Sequence, residues 1–270
     1  MHFISLNDGV KIPVIGLGVW KSKNGKECYD AVLKALEIGY RHIDTAAIYG
    51  NEESVGKAIA DSKILREELF ITTKLWNSDQ SYPRCLDALK LSLDRLGLSY
   101  VDLYLIHFPV TSTRKQAWKG LLELKEKKLT RSIGVSNYTV SHLQEMKTYS
   151  DVVPSVNQVE FHPFLNQIEL AHYCKKENIL IEAYSPLAHG QKVDDAELEK
   201  MGKSYGKTPA QILIRWSIQS GFAPLPKSVN PKRILENFGV FEFTLSDADF
   251  QKLNSMNSDL RTCWDPSDVK

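Results

Sequence analysis

The sequence predicts an α/β protein with the (β/α)8 TIM-barrel fold, preceded by a short N-terminal β-hairpin. Brief β-branched or apolar runs alternate with helix-like segments along the 270 residues, and no linker rich in proline, glycine or serine interrupts the eight units. Strands that alternate with helices pair in parallel through right-handed crossovers. A barrel of this kind can run to about 250 residues as one unit. We therefore expect one domain over residues 1–270, with an open doubly wound sheet as the alternative.

The charge balance and the apolar content exclude several classes of protein. The chain has 34 basic and 33 acidic residues, and 43% of its residues are hydrophobic. A general nucleic-acid binder carries a strongly basic surface, and a disordered chain is poor in apolar residues. No stretch approaches the roughly 18 uninterrupted apolar residues that a membrane span needs. We expect a folded protein that binds neither nucleic acid nor a membrane.

The cysteines and the first residues of the chain indicate a cytoplasmic protein without a bound metal. Cys28, Cys85, Cys174 and Cys263 lie 57, 89 and 89 residues apart. These distances match neither a metal site nor a redox pair. The chain also opens without the basic start and apolar core of a signal peptide.

The strand-like runs can be assigned in order along the chain. Residues 3–6 and 11–14 flank Asn7, Asp8 and Gly9, and an Asp-Gly pair is typical of a hairpin turn. The eight barrel strands are then expected at residues 15–20, 40–44, 69–73, 102–106, 131–135, 155–159, 179–183 and 222–225.

Helices are expected between these strands. The clearest covers residues 81–96, where four leucines share one face. Thr208-Pro209 and Asn230-Pro231 each place a favoured N-cap before a proline in the first helical position. Ser246 is expected to cap another helix.

Residues 15–21 contain the nearest match to a dinucleotide-binding fingerprint, and the match is poor. Gly16 and Gly18 are present, but Lys21 stands where the third glycine belongs, and no acidic residue follows about 20 positions later. We interpret this segment as the first barrel strand, with glycines that allow another backbone to approach closely.

Polar or aromatic residues follow every predicted strand. In a barrel of this kind the chemistry takes place at the carboxyl ends of the strands, so these residues are the candidates for a site. They are Trp20, Asp44, Lys74, His107, Ser136 with Asn137, Gln158, Tyr184 with Ser185, and Lys227 with Ser228.

Four of the residues near these strand ends predict acid–base chemistry. Lys74 would be costly to bury alone, and Asp44 at the end of the adjacent strand is a suitable partner. Tyr49 follows Asp44 by five residues, and His107 ends the most strand-like run. A neighbouring ammonium favours the ionised form of a phenol, so we expect the pKa of Tyr49 to be lowered and Tyr49 to act as a general acid.

Seven ordered motifs, spread from about residue 5 to residue 266, make the chain resemble the aldo-keto reductases, particularly the short microbial members similar to 2,5-diketogluconate reductase and protozoan prostaglandin F synthase. The motifs are Gly39–Ala46 with Tyr49, Thr73–Trp76, Leu105–His107, Gly134–Asn137, Asn157–Glu160 with His162-Pro163, Ala183–Leu187 and Pro226–Val229.

The resemblance implies a catalytic tetrad. Tyr49 would donate the proton, Lys74 would lower its pKa, Asp44 would hold Lys74, and His107 would orient the substrate carbonyl. The substrate would lie against Trp20, Tyr49, Trp76, His107 and Phe108.

The resemblance also implies NADPH as the cofactor and assigns residues to each part of it. Ser136, Asn137 and Gln158 would hold the nicotinamide carboxamide, with Tyr184 stacked on the ring and Asp44 and Trp20 nearby. The remaining contacts would come from Ser185 and Leu187 at the pyrophosphate, Lys227, Ser228, Val229 and Arg233 at the 2′-phosphate, and Glu236 and Asn237 at the adenine.

The phosphate assignment has independent support from the residues. Lys227 and Arg233 lie beside a helix expected to open at Asn230-Pro231, and two cations with free N–H groups form a good phosphate site. A solvated basic patch is the alternative.

The chain departs from the family pattern at two positions. Phe108 replaces a tryptophan, which would change the substrate wall, and Ala188 replaces a glycine, which would alter the loop over the pyrophosphate. The segment after His107 and the C-terminal tail are also short.

The sequence therefore predicts a monomeric NADPH-dependent reductase that acts on small-molecule aldehydes or ketones and needs no metal. Two alternatives stay open. One is a lysine Schiff-base aldolase that uses Lys74 as the nucleophile. The other is a cofactor-binding regulatory module of the same fold with little turnover.

Overall fold

The computed structural model describes residues 2–192 and 194–269. Within these residues eight parallel strands pair in sequential order, β3 through β10. Their bounds are β3 (Leu17–Gly18), β4 (His42–Asp44), β5 (Phe70–Leu75), β6 (Val101–Ile106), β7 (Thr130–Ser136), β8 (Val156–Glu160), β9 (Leu180–Tyr184) and β10 (Ala223–Leu225).

Hydrogen bonds between the first and last of these strands close the sheet. The N–H of Gly16 donates to the carbonyl of Pro224 over 3.1 Å, and the N–H of Gly18 donates to the carbonyl of Pro226 over 3.1 Å. A doubly wound sheet has open edges and a strand order that reverses. The barrel prediction is therefore confirmed, and the open-sheet alternative is wrong.

The predicted N-terminal hairpin is present and covers the amino end of the barrel. β1 (Phe3–Ser5) pairs antiparallel with β2 (Lys11–Pro13). Leu6 and Ile12 are buried in one cluster with Phe70 and Val156, which begin two of the barrel strands. This apolar packing covers the amino end of the barrel, opposite the carboxyl ends where the candidate residues lie.

Helices surround the barrel at the predicted places. Their bounds are α1 (Lys26–Ile38), α2 (Glu52–Ser62), α3 (Tyr82–Leu96), α4 (Arg114–Glu126), α5 (Val140–Met146), α6 (Ile168–Lys176), α7 (Ala196–Tyr205), α8 (Pro209–Gln219), α9 (Pro231–Phe238) and α10 (Asp247–Asn254). In α3, Leu89, Leu93 and Leu96 are buried and Leu86 is partly buried, as the leucine stripe predicts.

All three predicted N-caps form. Thr208 and Gln211 make a reciprocal capping box at α8. The side chain of Asn230 caps α9, and that of Ser246 accepts the backbone N–H of Asp249 at the start of α10. Each cap satisfies helix N–H groups that would otherwise lack a partner.

The glycines of the first strand permit the close approach that the sequence indicates. A Cβ on Gly16 would lie 2.6 Å from Nδ1 of His42, and one on Gly18 would lie 3.2 Å from the carbonyl oxygen of Leu225. The interpretation of this segment as a barrel strand is confirmed.

The alternation of side chains along each strand places the candidate residues inside the barrel. Successive side chains of a strand point to opposite faces. Ile71 of β5 packs in the layer between strands and helices, whereas Phe70 packs inside the barrel. Lys74 has the same parity as Phe70 and is also interior, at the open end.

Among the described residues, no helix has the length and apolar character needed to cross a membrane.

Candidate active site

Lys74 and Asp44 meet at the open end of the barrel, as the sequence predicts. The Lys74 ammonium lies 2.6 Å from Oδ1 of Asp44, and it also donates to the carbonyl of Thr45 over 2.8 Å. The side chain of Lys74 is completely buried. The ammonium is therefore fixed by acceptors on the adjacent strand rather than by solvent.

Tyr49 lies against the same ammonium. Its hydroxyl is 3.3 Å from Nζ of Lys74, and it belongs to a short 3-10 helix, Ala47–Tyr49, in the loop after β4. Burial raises the pKa of Tyr49 well above its usual value, and the Asp44 carboxylate adds to that effect.

The predicted lowering of the pKa of Tyr49 is therefore wrong in direction. The sequence places the Lys74 cation beside the Tyr49 phenol, but it does not show how closely Asp44 pairs with that cation. Lys74 lies closer to Asp44 than to Tyr49, so the phenol meets a buried ion pair rather than an isolated cation. Tyr49 consequently keeps its proton at neutral pH, which a proton donor requires.

His107 completes the cluster. Its ring centroid lies 5.6 Å from that of Tyr49 in an edge-on arrangement. Burial lowers the pKa of His107 well below its usual value, and the Lys74 charge acts in the same direction. The imidazole is therefore neutral at physiological pH and can donate one hydrogen bond to a carbonyl oxygen.

A cavity of about 590 Å³ runs from this cluster to the start of α9. Of the predicted site residues, all within the described part of the chain, Lys74, Trp76, Phe108 and Val229 do not line it. Lys74 lies behind Asp44 and Tyr49. The other predicted residues line it, and they are Trp20, Asp44, Tyr49, His107, Ser136, Asn137, Gln158, Tyr184, Ser185, Leu187, Lys227, Ser228, Arg233, Glu236 and Asn237.

The polar residues in the middle of the cavity hold one another in place. The Tyr184 hydroxyl donates to Oδ1 of Asn137 over 2.7 Å. The Asn137 amide donates to Ser136, whose hydroxyl donates to the backbone carbonyl of Gln158 over 2.8 Å. The Tyr184 ring is thereby fixed as a flat wall beside the polar groups.

The amide of Gln158 has a defined orientation. Its Nε2 donates to Oδ2 of Asp44 over 2.8 Å and to Oε2 of Glu182 over 2.9 Å. Both amide hydrogens are thereby used, which leaves the carbonyl oxygen as the free acceptor of this side chain. Burial raises the pKa of Glu182 to about 8, and Asp44 contributes to the shift.

The far end of the cavity carries Lys227 and Arg233, but one part of the predicted phosphate site is wrong. The side chain of Asn230 accepts the backbone N–H groups of Lys232 and Arg233. These two N–H groups are not free for a phosphate, because a good N-cap competes for them. The side chains of Lys227 and Arg233 both line this end of the cavity.

The comparison with known families agrees with this geometry. The family model described as "Aldo/keto reductase family" matches residues 14–258. The chain belongs to this family.

Two relatives illustrate the level of similarity to this aldo/keto reductase. Glyoxal reductase of Bacillus subtilis is 46% identical over 266 residues, covering 98% of this chain and 96% of the relative. The 9,11-endoperoxide prostaglandin H2 reductase of Trypanosoma cruzi is 45% identical, covering 97% and 94%. The resemblance to short microbial and protozoan members is confirmed.

Solved structures match the whole fold. An aldo-keto reductase from a Medee basin deep-sea metagenome library superimposes with a TM-score of 0.96 at 44% identity and covers all of both chains. A Bombyx mori aldo-keto reductase, solved in complex with NADP, has a TM-score of 0.91 at 37% identity and covers 99% and 96%.

The aldo/keto reductase site contains one large residue that sequence reasoning missed. Trp264, in the tail after the last helix, lines the cavity and lies with its ring 5.9 Å from that of His107. It also contacts Trp76 at 5.8 Å and Phe108 at 6.3 Å, so these two predicted substrate residues stand behind it. No strand precedes Trp264, so a search of strand ends could not find it.

Cys263 and His189 were also missed. Both line the cavity, and Sγ of Cys263 lies 3.3 Å from Nε2 of His189. The loop that contains His189 bends at Ala188, whose φ of 47° lies in the left-handed region that favours glycine. Alanine thus occupies a left-handed position at which the resemblance to the family leads us to expect glycine.

Among the described residues, no three His, Cys, Asp or Glu side chains cluster in a way that could hold a metal ion.

Proposed function

We propose that this aldo/keto reductase reduces aldehydes and ketones to alcohols with NADPH. The observation that carries the proposal is the position of Tyr49, which lies beside the Lys74–Asp44 ion pair and His107 at one end of a cavity that carries Lys227 and Arg233 at the other. A proton donor and a site for an anionic dinucleotide thus share one cavity.

NADPH supplies the hydride when it is bound. Tyr49 gives its proton to the carbonyl oxygen, and the nearby Lys74 ammonium stabilises the phenolate that this step leaves. Asp44 keeps Lys74 in place, and the neutral His107 orients the carbonyl by a hydrogen bond. The protein thereby contributes position and electrostatics to the chemistry of the cofactor.

The polar centre of the cavity suits a carboxamide. Gln158 presents a carbonyl acceptor, and Ser136 and Asn137 lie next to it in one hydrogen-bond network. Tyr184 provides the flat surface for the nicotinamide ring. We assign these four residues to the nicotinamide, as the sequence predicts.

We assign the remaining cofactor residues as the resemblance to the family implies. Ser185 and Leu187 are assigned to the pyrophosphate. Lys227, Ser228 and Arg233 are assigned to the 2′-phosphate, with Val229 beside them, and Glu236 and Asn237 to the adenine. A planar guanidinium can engage a phosphate through two hydrogen bonds, which suits Arg233 to this place.

Small α-oxoaldehydes are the first substrates to test. The relatives include a glyoxal reductase and, in Escherichia coli K12, a methylglyoxal reductase DkgA that is 46% identical over 97% of this chain and 96% of its own. The ring of Trp264 lies 6.4 Å from that of Trp20 and 5.9 Å from that of His107, and we infer that these rings favour small carbonyl compounds.

The geometry does not favour the Schiff-base alternative. A nucleophilic lysine must reach the substrate as a free amine. Lys74 is completely buried, does not line the cavity and is held by Asp44 and Thr45.

A panel of aldehydes, ketones and sugars, assayed by oxidation of NADPH, tests the function. We expect turnover with α-oxoaldehydes and none without a carbonyl substrate. Tight NADPH binding without turnover on any carbonyl would support the regulatory module instead. Borohydride trapping of a lysine adduct would support the aldolase.

We further propose that residues 1–270 act as a single domain, as a monomer and in the cytoplasm. Every residue assigned above to the catalytic or cofactor site comes from the same chain, so the proposed site needs no residue from a second copy. Light scattering in solution would contradict the monomer if it gave the mass of a dimer.

A further inference from the structure

The tail after α10 crosses the open end of the barrel and brings Trp264 over the site. The ring of Trp264 contacts Trp20 at 6.4 Å and His107 at 5.9 Å, yet 45% of the residue is exposed. Residues 259–269 form neither helix nor strand. The place of this ring therefore depends on whatever anchors the tail.

We propose that Glu160 is a positioning residue that clamps the tail at Thr262 and Cys263 and thereby sets, through Trp264, the size of carbonyl substrate that fits. The proposal rests on the function proposed above. Glu160 ends β8 and does not line the cavity, so its effect on substrate must pass through another residue.

The contacts of Glu160 are directed at the tail. Its Oε1 accepts the backbone N–H of Thr262 over 2.8 Å and also the Thr262 hydroxyl. Its Oε2 accepts the backbone N–H of Cys263 over 3.0 Å. On the other side, Nε2 of His162 lies 3.2 Å from Oε1. One carboxylate thus holds two successive backbone N–H groups, and Trp264 is the next residue.

The charge of Glu160 makes this clamp strong. The side chain is completely buried. Burial opposes ionisation, but hydrogen bonds from His162, Thr262 and Cys263 outweigh it and hold the pKa of Glu160 below its usual value. Hydrogen bonds to an ionised acceptor are about twice as strong as those between neutral groups.

Other anchors hold the tail on either side of the clamp. The N–H of Leu260 donates to the carbonyl of Phe164 over 2.9 Å, and the carbonyl of Val269 lies 2.8 Å from Nε2 of His142. Loss of the clamp should therefore free the stretch around Trp264 while the tail stays attached. This predicts a change of specificity rather than a loss of the fold.

Glu160→Gln is the sharpest variant because it keeps the volume and changes the hydrogen bonding. Glutamine has one acceptor oxygen, so its NH2 group must face a backbone N–H of Thr262 or Cys263. Trp264→Ala directly removes the ring that lies beside His107. An exposed glutamate, Glu53→Gln, serves as the matched control.

The substrates are methylglyoxal and phenylglyoxal, which share the reacting group and differ in size. We expect Glu160→Gln to shift the ratio of their kcat/KM values toward phenylglyoxal by roughly 3- to 30-fold, within the range that coupled residues span. The shift should arise mainly in the KM values. The Kd for NADPH and the Tm of each variant should be measured in the same experiment. Glu53→Gln should leave the ratio unchanged.

A double-mutant cycle shows whether Glu160 acts through Trp264. We expect Trp264→Ala to shift the ratio in the same direction and Glu160→Gln to add little in the Trp264→Ala background. Independent effects of the two changes, or an unchanged ratio in folded Glu160→Gln, would overturn the proposal.

A second variant covers the case in which Glu160→Gln does not fold. Thr262→Val removes one hydroxyl donor and keeps both backbone N–H groups, so it should shift the ratio in the same direction but less. An unchanged ratio in this variant would count against the clamp. A wild-type enzyme that fails to oxidise NADPH with every carbonyl compound tested would instead refute the proposed function.

Discussion

Asp44 and Lys74 form an ion pair inside the barrel, with 2.6 Å between Oδ1 and Nζ and both side chains buried. Neither charge could be buried alone without a cost of several kcal/mol. Burial is the main reason why the pKa of Tyr49 is raised, and the Asp44 carboxylate of this pair raises it further.

Lys74→Met should lose both activity and stability. The change leaves the Asp44 carboxylate buried without its cation, which typically costs about 3–5 kcal/mol in the free energy of unfolding. Urea unfolding measures this. The double variant Asp44→Asn with Lys74→Met should recover part of the loss, because it removes the unpaired charge. A Lys74→Met protein as stable as the wild type would mean that the pair does not form in solution.

Tyr49→Phe should nearly abolish reduction and leave NADPH binding close to that of the wild type. The change removes one hydroxyl at the reacting centre, and loss of general acid catalysis typically lowers the rate by about 10²- to 10⁴-fold. Steady-state assays and a fluorescence titration of NADPH measure the two quantities. Retention of most of the activity would show that another group donates the proton.

Arg233→Ala should weaken NADPH binding by roughly 10- to 150-fold and leave NADH binding almost unchanged. A charge-assisted hydrogen bond contributes about 1.5–3 kcal/mol, and NADH lacks the phosphate that Arg233 is assigned to hold. The difference should shrink as the salt concentration rises. Lys232→Ala, on the same helix and outside the cavity lining, is the control. Equal weakening of both cofactors would indicate a solvated surface patch.

Glu182→Gln should change how stability depends on pH. Burial raises the pKa of Glu182 from 4.5 to about 8 in the folded chain, so the folded state keeps a proton that the unfolded state releases. The contribution of Glu182 to stability is therefore present below about pH 4.5 and is lost as the pH rises to about 8.

Glutamine cannot ionise, so the Tm of Glu182→Gln relative to the wild type should increase between pH 5 and pH 8 and then level off, as the pKa near 8 requires. Calorimetry at several pH values measures the difference. The Tm of Glu53→Gln, a change at an exposed position, should vary with pH in parallel with the Tm of the wild type. A constant difference between Glu182→Gln and wild type would mean that Glu182 is already ionised in the folded protein.

Much of the site follows from the sequence because a parallel barrel collects its strand ends at one face. Asp44 ends β4, Lys74 is the last residue but one of β5, and His107 directly follows β6, so their proximity follows once the strands are assigned. The helix caps at Thr208 and Asn230 are equally local, since a cap and the N–H groups it satisfies lie within three residues.

The sequence by itself determined the barrel and the hairpin and identified the candidate acid–base residues, because these depend on alternation, strand ends and local hydrogen bonds. Only the tertiary structure decided how closely the Lys74 charge lies to Asp44 and to Tyr49, and which residue covers the site. The pKa of Tyr49 depends on burial and on the nearby Asp44 carboxylate. Trp264 reaches His107 across 157 positions of the chain because Glu160, over 100 residues away, holds the tail. Distance and burial of this kind are properties of the packed chain, and no local pattern encodes them.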